Sequence, residues 1–418
     1  MRSVIFPISA LLVGIGILLI GNGLLGLQLG LRAGETFGES ITGFVMAGYF
    51  IGFVAGSFLV PHLVRSVGYI RTFAAMAALA SIAAVTYGVF VDPIVWWLLR
   101  LLSGFCLVGI YLVVESWLNE QAPSDQRGKI FGIYMVVTLV ALDFGLVLGP
   151  VAGDPTHLET YVLASVLFSL GLIPVAVTPM PQPHPVASPA TGFRRLFVAS
   201  PTGFLGSIIA GVVNGILWGL GPAFWRGLGL SETEAGLFMA AVLSGGVLLQ
   251  WPIGHLSDGH DRRRVLAAVS LAAALTAMLT LLALEHSKSL LAVCAFIYGG
   301  LMLTVYSLSV AHVNDRIAQS QILEASRTLL LLYGIGAALG PMAAGPFMEI
   351  FGPAALPVFC ATALVLLALV SVQQMFAKAP VPPAEQGVFV PLTRTSQVVV
   401  EMLPEASSAA SDQETPVS

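Results

Sequence analysis

The stretch VIFPISALLVGIGILLIGNGLLGLQLGL, residues 4–31, carries no charge over its whole length. A helix crosses the hydrocarbon core of a bilayer in about 20 apolar residues, so this stretch reads as a membrane span. It is too long for the apolar core of a secretory leader, and no small-residue cleavage site ahead of a soluble domain follows it, so it is expected to stay as the first span. The whole chain agrees with that reading. Of its 418 residues, 57% are hydrophobic and 10% charged, far below the roughly 25% charged of soluble domains.

Working outward, charge, Gly and Pro divide the remainder into further apolar runs at 39–62, 70–91, 93–118, 128–153 and 160–178, then 201–225, 232–255, 263–284, 288–313, 323–349 and 353–376. Residues 1–178 therefore form one unit of six spans and 201–376 a second. Residues 179–200 hold five prolines and the pair Arg194 and Arg195, the composition of a mobile connector. Residues 377–418 turn polar and Pro-rich and are expected to be disordered. Lys and Arg in short loops orient such a chain. With the N-terminus inside, one side holds Arg65, Arg71, Arg127, Lys129, Arg194, Arg195, Arg262, Arg263, Arg264 and Arg316, and the other Arg32, Arg226 and Lys288. Both termini are expected in the cytoplasm, in the inner (plasma) membrane.

The halves repeat one another. Asn22-Gly23-Leu24-Leu25 answers Asn214-Gly215-Ile216-Leu217, Gly43-Phe44-Val45-Met46-Ala47 answers Gly236-Leu237-Phe238-Met239-Ala240, and Gly149-Pro150 answers Gly340-Pro341, at offsets of 192, 193 and 191. Matches in one order at nearly one offset indicate a parallel duplication. The expected fold is all-α and integral to the membrane, with twelve transmembrane helices in two pseudo-symmetric six-helix bundles and a substrate path between them.

The loop after the eighth span reads Gly254-His255-Leu256-Ser257-Asp258-Gly259-His260-Asp261-Arg262-Arg263-Arg264. It resembles the signature loop of the major facilitator superfamily: a Gly, an Asp four residues on, then a basic cluster. A carboxylate at a helix end can meet a helix N-terminus or an Arg, while a basic run suits an anionic membrane face. The first-half loop departs from the pattern, with Pro61 at the Gly place and Arg65 at the Asp place, although Gly68 and Arg71 persist. The run Arg100-Leu101-Leu102-Ser103-Gly104 is similar to the family's fourth-helix pattern. Gly145, Gly149, Pro150 and Gly153 have the spacing of its fifth-helix motif, associated with antiporters, and Gly340 and Pro341 are their counterparts; a packing hinge explains the same residues. Taken with Val114-Glu115-Ser116, Arg127-Gly128 and Gln250-Trp251-Pro252-Ile253-Gly254, the chain from about residue 4 to 376 resembles most the branch of YcaD-type transporters.

Several polar residues inside spans are candidates for function. An intramembrane Arg needs protein or water around it and a partner. Arg100 and Asp143 lie about 3 Å apart in depth at 1.5 Å per residue, so a pair across adjacent helices is expected, either a structural salt bridge or a protonatable switch. Glu115 and His312, near the ends of the fourth helix of each half, suit an inner gate or a proton step, since His titrates near neutrality. Asn22 and Asn214 sit mid-span on the first helix of each half, which in the family lines the cavity; they are the favoured substrate contacts against simple interhelical bonding. Tyr49, Trp218, Tyr298, Tyr306 and Tyr333 are candidate aromatic walls.

Other classes find little support. Cys106, Cys294 and Cys360 lie in apolar runs and suit neither a disulfide framework nor a metal site. There is no basic surface interleaved with aromatics for nucleic acid, no phosphate loop for ATP, and no catalytic cluster, so no cofactor and no enzyme activity are expected. The expected partners are a small-molecule substrate, protons and the lipid bilayer, and a monomer is expected. The reading is a secondary transporter working by alternating access, proton-coupled, leaning to efflux by antiport through Asp143 or Glu115. Proton-linked uptake of a polar metabolite is the alternative, and a membrane sensor or scaffold that docks partners through its tail is a second class.

Overall fold

Polar caps and prolines set where the helices begin. Asp92 accepts hydrogen bonds from the Ile94 and Val95 amides at 2.9 and 3.0 Å with Pro93 in the first helical position, and Ser231 and Glu234 form a reciprocal capping box. Such caps satisfy amides that a helix start leaves unpaired. The computed structural model describes residues 2–178 apart from 124 and 125, 192–382 apart from 319 and 320, and 385–387 with 389. Its helices are α1 Arg2–Phe37, α2 Glu39–Val67, α3 Tyr69–Val89, α4 Pro93–Gln121, α5 Arg127–Ala152, α6 Leu158–Val177, α7 Phe193–Ala199, α8 Pro201–Gly227, α9 Glu232–Ser257, α10 Arg262–His286, α11 Lys288–Asn314, α12 Ile322–Phe351 and α13 Ala355–Ala377. Among the described residues, twelve of these, all but α7, are long and apolar enough to cross a membrane. Large apolar side chains such as Ile82, Leu98, Val136 and Leu275 are left exposed along them, which suits a lipid surround.

The two halves are built alike. In the first, α2 packs on α4 and α1 on α5; in the second, α9 packs on α11 and α8 on α12. Glycine makes both sets of crossings close. A Cβ at Gly52 would fall 1.8 Å from the Leu101 carbonyl oxygen, and one at Gly245 1.8 Å from that of Phe296. Gly145 meets α1 beside Gly23, while Gly336 and Gly340 meet α8 at the Ile208 and Val212 carbonyls. With no hydrophobic gain available between helices in lipid, such backbone approach is what holds them together.

The α1–α2 turn at Gly38 marks one end of the bundle, the turn end, and the opposite one is the termini end. Contacts between halves run through α2–α12, α5–α9, α1–α8 and α2–α8. Near the turn end Gly43 abuts Pro341, Gly30 abuts Pro222, and Gly236 abuts Leu146 and Pro150. Arg226 meets Glu35 at 2.7 Å, and the Ser40 amide donates to Glu349 at 3.0 Å.

Three expectations change. The first span runs on to Phe37, because Arg32 is not a loop residue: it is buried on α1 with its guanidinium 5.8 Å from the Trp96 ring and 5.4 Å from that of Tyr161. The connector is not loose throughout. Residues 179–191 lie outside the described residues, but α7 is tied to the second half by Arg195 to Glu324 at 3.1 Å and by the Gly192 amide to Thr328 at 3.1 Å. The tail expected to be disordered from 377 is ordered at its start, where Glu385–Gly387 and Phe389 lie against the α9–α10 loop; residues 390–418 lie outside the described residues.

Candidate functional site: a cavity between the halves

The facing surfaces of the halves leave a central cavity of about 120 Å³ open to water centres, ample for several ordered waters or part of a solute, since one water needs roughly 10–15 Å³ on that measure. Asn22 from α1 and Asn214 from α8 reach it from equivalent places, with Tyr49, Trp218, Tyr306 and Tyr333 as aromatic walls. Asn22 has no hydrogen-bond partner among the described residues, whereas Asn214 Nδ2 lies 3.4 Å from Met302 Sδ. Arg100 also lines the cavity. It begins about 10 Å from the turn end of α4 at 1.5 Å per residue, and the cavity extends from there to Tyr111 and Gln250 in the other half of the span.

Arg100 and Asp143 do not pair. Asp143 Oδ2 accepts a hydrogen bond from Ser244 on α9 at 2.8 Å, and its Oδ1 is buried without a partner. Arg100 is 6% exposed and lies 4.9 Å from the centre of the Tyr49 ring. Equal depth does not make two helices neighbours: α4 packs on α2 and α3 and barely meets α5, while α5 packs on α1 and on α9 of the other half. A cation over a ring recovers about 0.5–2 kcal/mol, against about 2.5–3.5 kcal/mol to place an Arg mid-membrane. The cavity therefore retains a cation that the protein does not neutralise.

Other candidates fall elsewhere. Tyr298 opens on a smaller apolar cavity inside the second half, with Cys360 and Trp225. Glu115 is fully buried and accepts from the Tyr134 hydroxyl at 2.7 Å. His312 is buried on α11, facing the charges of the α9–α10 loop rather than the cavity. Pro150 and Pro341 serve contacts between halves, while Gly149 packs on Leu27 and Gly153 ends α5 with positive φ.

Sequence reading missed Tyr111, Thr138 and Gln250 on the cavity. Gln250 Nε2 donates to Ser307 at 2.5 Å, and the Thr138 hydroxyl is buried without a partner. Tyr111 had a signal. The fourth helices repeat at offset 195, as their glycines Gly104 and Gly299 show, and that offset sets Tyr111 against Tyr306. A lone Thr in an apolar run carries no such mark.

The signature-like loop is a built structure. Arg262 Nε bonds Asp315 Oδ2 at 2.6 Å with both side chains nearly sealed, and Arg262 also reaches Asp258 at 3.4 Å and the Gly387 carbonyl. Arg263 meets Asp261 at 2.8 Å and the carbonyls of Gln374 and Lys378. Only Arg264 of the basic run is exposed, so it alone fits the expected charged membrane face. Burial works against the charge of Asp261, yet hydrogen bonds from the Arg263 side chain and amide hold its carboxyl below the usual range. Burial raises the Asp315 carboxyl and lowers the Arg316 guanidinium. In the first half, Arg65 and Arg71 are exposed, and Gly68 ends α2 with φ 90°.

Two related six-helix halves enclosing a mainly apolar cavity with a few convergent polar side chains are the build of a membrane carrier. Residues 11–201 and 203–409 match the sequence model of the Major Facilitator Superfamily, and the chain belongs to that superfamily. It is similar to proteins named uncharacterized MFS-type transporter YcaD: 28% identical over 310 residues to that of Salmonella arizonae, and 28% over 312 residues to that of Salmonella typhi, covering 73% of this chain and 79% of each relative. Among solved structures, the nucleoside transporter NupG superposes with a TM-score of 0.72 at 14% identity over 89% of this chain and 100% of that one. The D-xylose-proton symporter superposes with a TM-score of 0.64 at 15% identity over 88% and 96%. At such identity these structures speak for the fold alone, and membrane transport rests on the superfamily.

Proposed function

We propose that this chain is a secondary active transporter that carries a small organic solute across the plasma membrane by alternating access, driven by protons and running as an exporter. The observation that supports this reading is the central cavity, set between the two halves and reached by Asn22 and Asn214 from equivalent helices. Contacts at the turn end shut one approach. With the basic loops placed inside, the turn end is the outer face and the cavity of this conformation belongs to the inner side.

Asp143 is the proposed proton carrier. It sits where α5 crosses α9 of the opposite half, and one of its oxygens lacks a partner. Gain or loss of a proton there changes the bond to Ser244, and so changes a contact between the halves themselves. Glu115, Tyr134 and His312 lie off the cavity and serve the termini-end packing. The antiport direction rests on the fifth-helix glycines, which let α5 slide against α1.

Alternating access can be tested before the cargo is identified. In a variant lacking the native cysteines, Asn214→Cys is expected to react with impermeant maleimides from either side of the membrane in turn. Cross-linking Ser40→Cys to Glu349→Cys should confine labelling to the cytoplasmic side. Labelling unchanged by the cross-link would overturn the two-sided cycle. For coupling, Asp143→Asn should abolish solute-driven proton movement in vesicles while leaving solute exchange, and movement of both in the same direction would reverse the proposed antiport.

A further inference from the structure

We propose that the cavity takes a monoanionic, ring-bearing organic acid, with Arg100 as the clamp for its carboxylate. The inference rests on the reading of this cavity as the transport site and assigns the class of its cargo. Arg100 is the one charged side chain lining the cavity among the described residues. Its Nε is buried without a partner, and no hydrogen bond or ion pair reaches its guanidinium among those residues. The Tyr49 ring covers one face of the fork, which leaves the N–H edge for a planar acceptor. A guanidinium matches a carboxylate through two parallel hydrogen bonds.

Charge arithmetic narrows the cargo. The counterpart of Arg100 on α11 is Ala295 at the offset of the fourth helices, so the second half adds no cation there, and Asp143 is not part of the cavity lining but sits at the α5–α9 crossing beside Ser244. A hydrophobic cation would enter against an unneutralised positive charge. A phosphate monoester would keep a second negative charge with no cation to meet it. One carboxylate balances the site. The Thr138 hydroxyl, itself buried and unpartnered, offers a further donor from α5, and Tyr49, Trp218, Tyr306 and Tyr333 suit a ring behind the acid group.

The test uses full-length protein in lipid nanodiscs and four isosteric probes: 1-naphthoate, 1-naphthamide, 1-naphthyltrimethylammonium and 1-naphthyl phosphate. Binding is followed by thermal shift and by tryptophan fluorescence. Naphthoate should bind at least about ten-fold more tightly than the other three, as expected for a charge-assisted pair. Arg100→Gln should erase that preference, Arg100→Lys should restore part of it, and Thr138→Val should weaken naphthoate alone. Preference for the ammonium or phosphate probe, equal binding of all, binding of none, or a preference kept in Arg100→Gln would overturn the proposal. If Arg100→Gln does not fold, the wild-type series and Arg100→Lys decide. The Asn214→Cys labelling reads the transport cycle without any ligand. Alternation without naphthoate binding removes only the cargo class, and naphthoate binding without alternation removes transport and leaves the site.

Discussion

The loops joining the second and third helices of each half occupy equivalent places, yet they are built on different physics. In the first half the side chains of Arg65 and Arg71 are exposed beside a tight Gly68 turn. In the second, Arg262 and Arg263 are sealed among carboxylates and carbonyls, and the chain's own tail closes over them. The difference traces to two positions. Gly254 leaves a hollow that holds the Phe389 ring, where a Cβ would fall 1.9 Å from the ring, and Asp258 accepts from the Phe389 amide at 3.0 Å. The first half has Pro61 and Arg65 at these places instead, a ring where the hollow would be and a cation where the acceptor would be.

The largest expected effect lies in the buried pair. Removing one member of a sealed ion pair strands the other charge and costs about 3–5 kcal/mol. Arg262→Ala or Asp315→Ala should therefore lower the unfolding midpoint of detergent-purified protein strongly, whereas Arg71→Ala should stay within about 0.5 kcal/mol, as exposed substitutions do. Equal losses in the two loops would break the contrast.

A smaller effect tests the hollow. Gly254→Ala should expel Phe389 at a cost of about 1–3 kcal/mol, as overpacking does. Phe389→Ala should release the same strap. Each is expected to raise hydrogen exchange in residues 255–261, and the double variant to be no worse than the poorer single one, a coupling of at least about 0.5 kcal/mol. Strict additivity would mean that the ring and the glycine act separately.

What could be read beforehand follows the same divide. Span positions were legible because apolar length and cap residues are local: Pro93, Pro201 and Glu232 each open a helix where the run begins. The duplication was legible because helix crossings demand Gly at set places in both halves. Asn22, Asn214, Tyr49 and Trp218 line the cavity, which a polar residue mid-span and an aromatic on the facing helices could suggest from the chain alone. Partners across helices were not legible. Depth along a span says nothing of which helix lies alongside, so Arg100 and Asp143 looked like a pair, and Tyr298 looked like a cavity residue although it faces inward within its own half. Nor could the docked tail be foreseen, since a polar, Pro-rich segment has the composition of disorder and its order comes from the pocket that Gly254 and Asp258 make.

Arg264 sharpens the contrast most finely, because it belongs to the second-half loop and yet is exposed like Arg65 and Arg71. If burial rather than membership of a half sets the role of these arginines, Arg264 must behave like the first-half residues. Arg264→Gln and Arg71→Gln should each leave the melting point nearly unchanged and weaken retention of anionic lipid by about 1 kcal/mol, the usual worth of one cation at such a surface. Native mass spectrometry of the protein with phosphatidylglycerol reads both. A large melting loss in Arg264→Gln alone would show that the whole second-half loop is structural, and that the tail, rather than the exposure of individual side chains, divides the two loops.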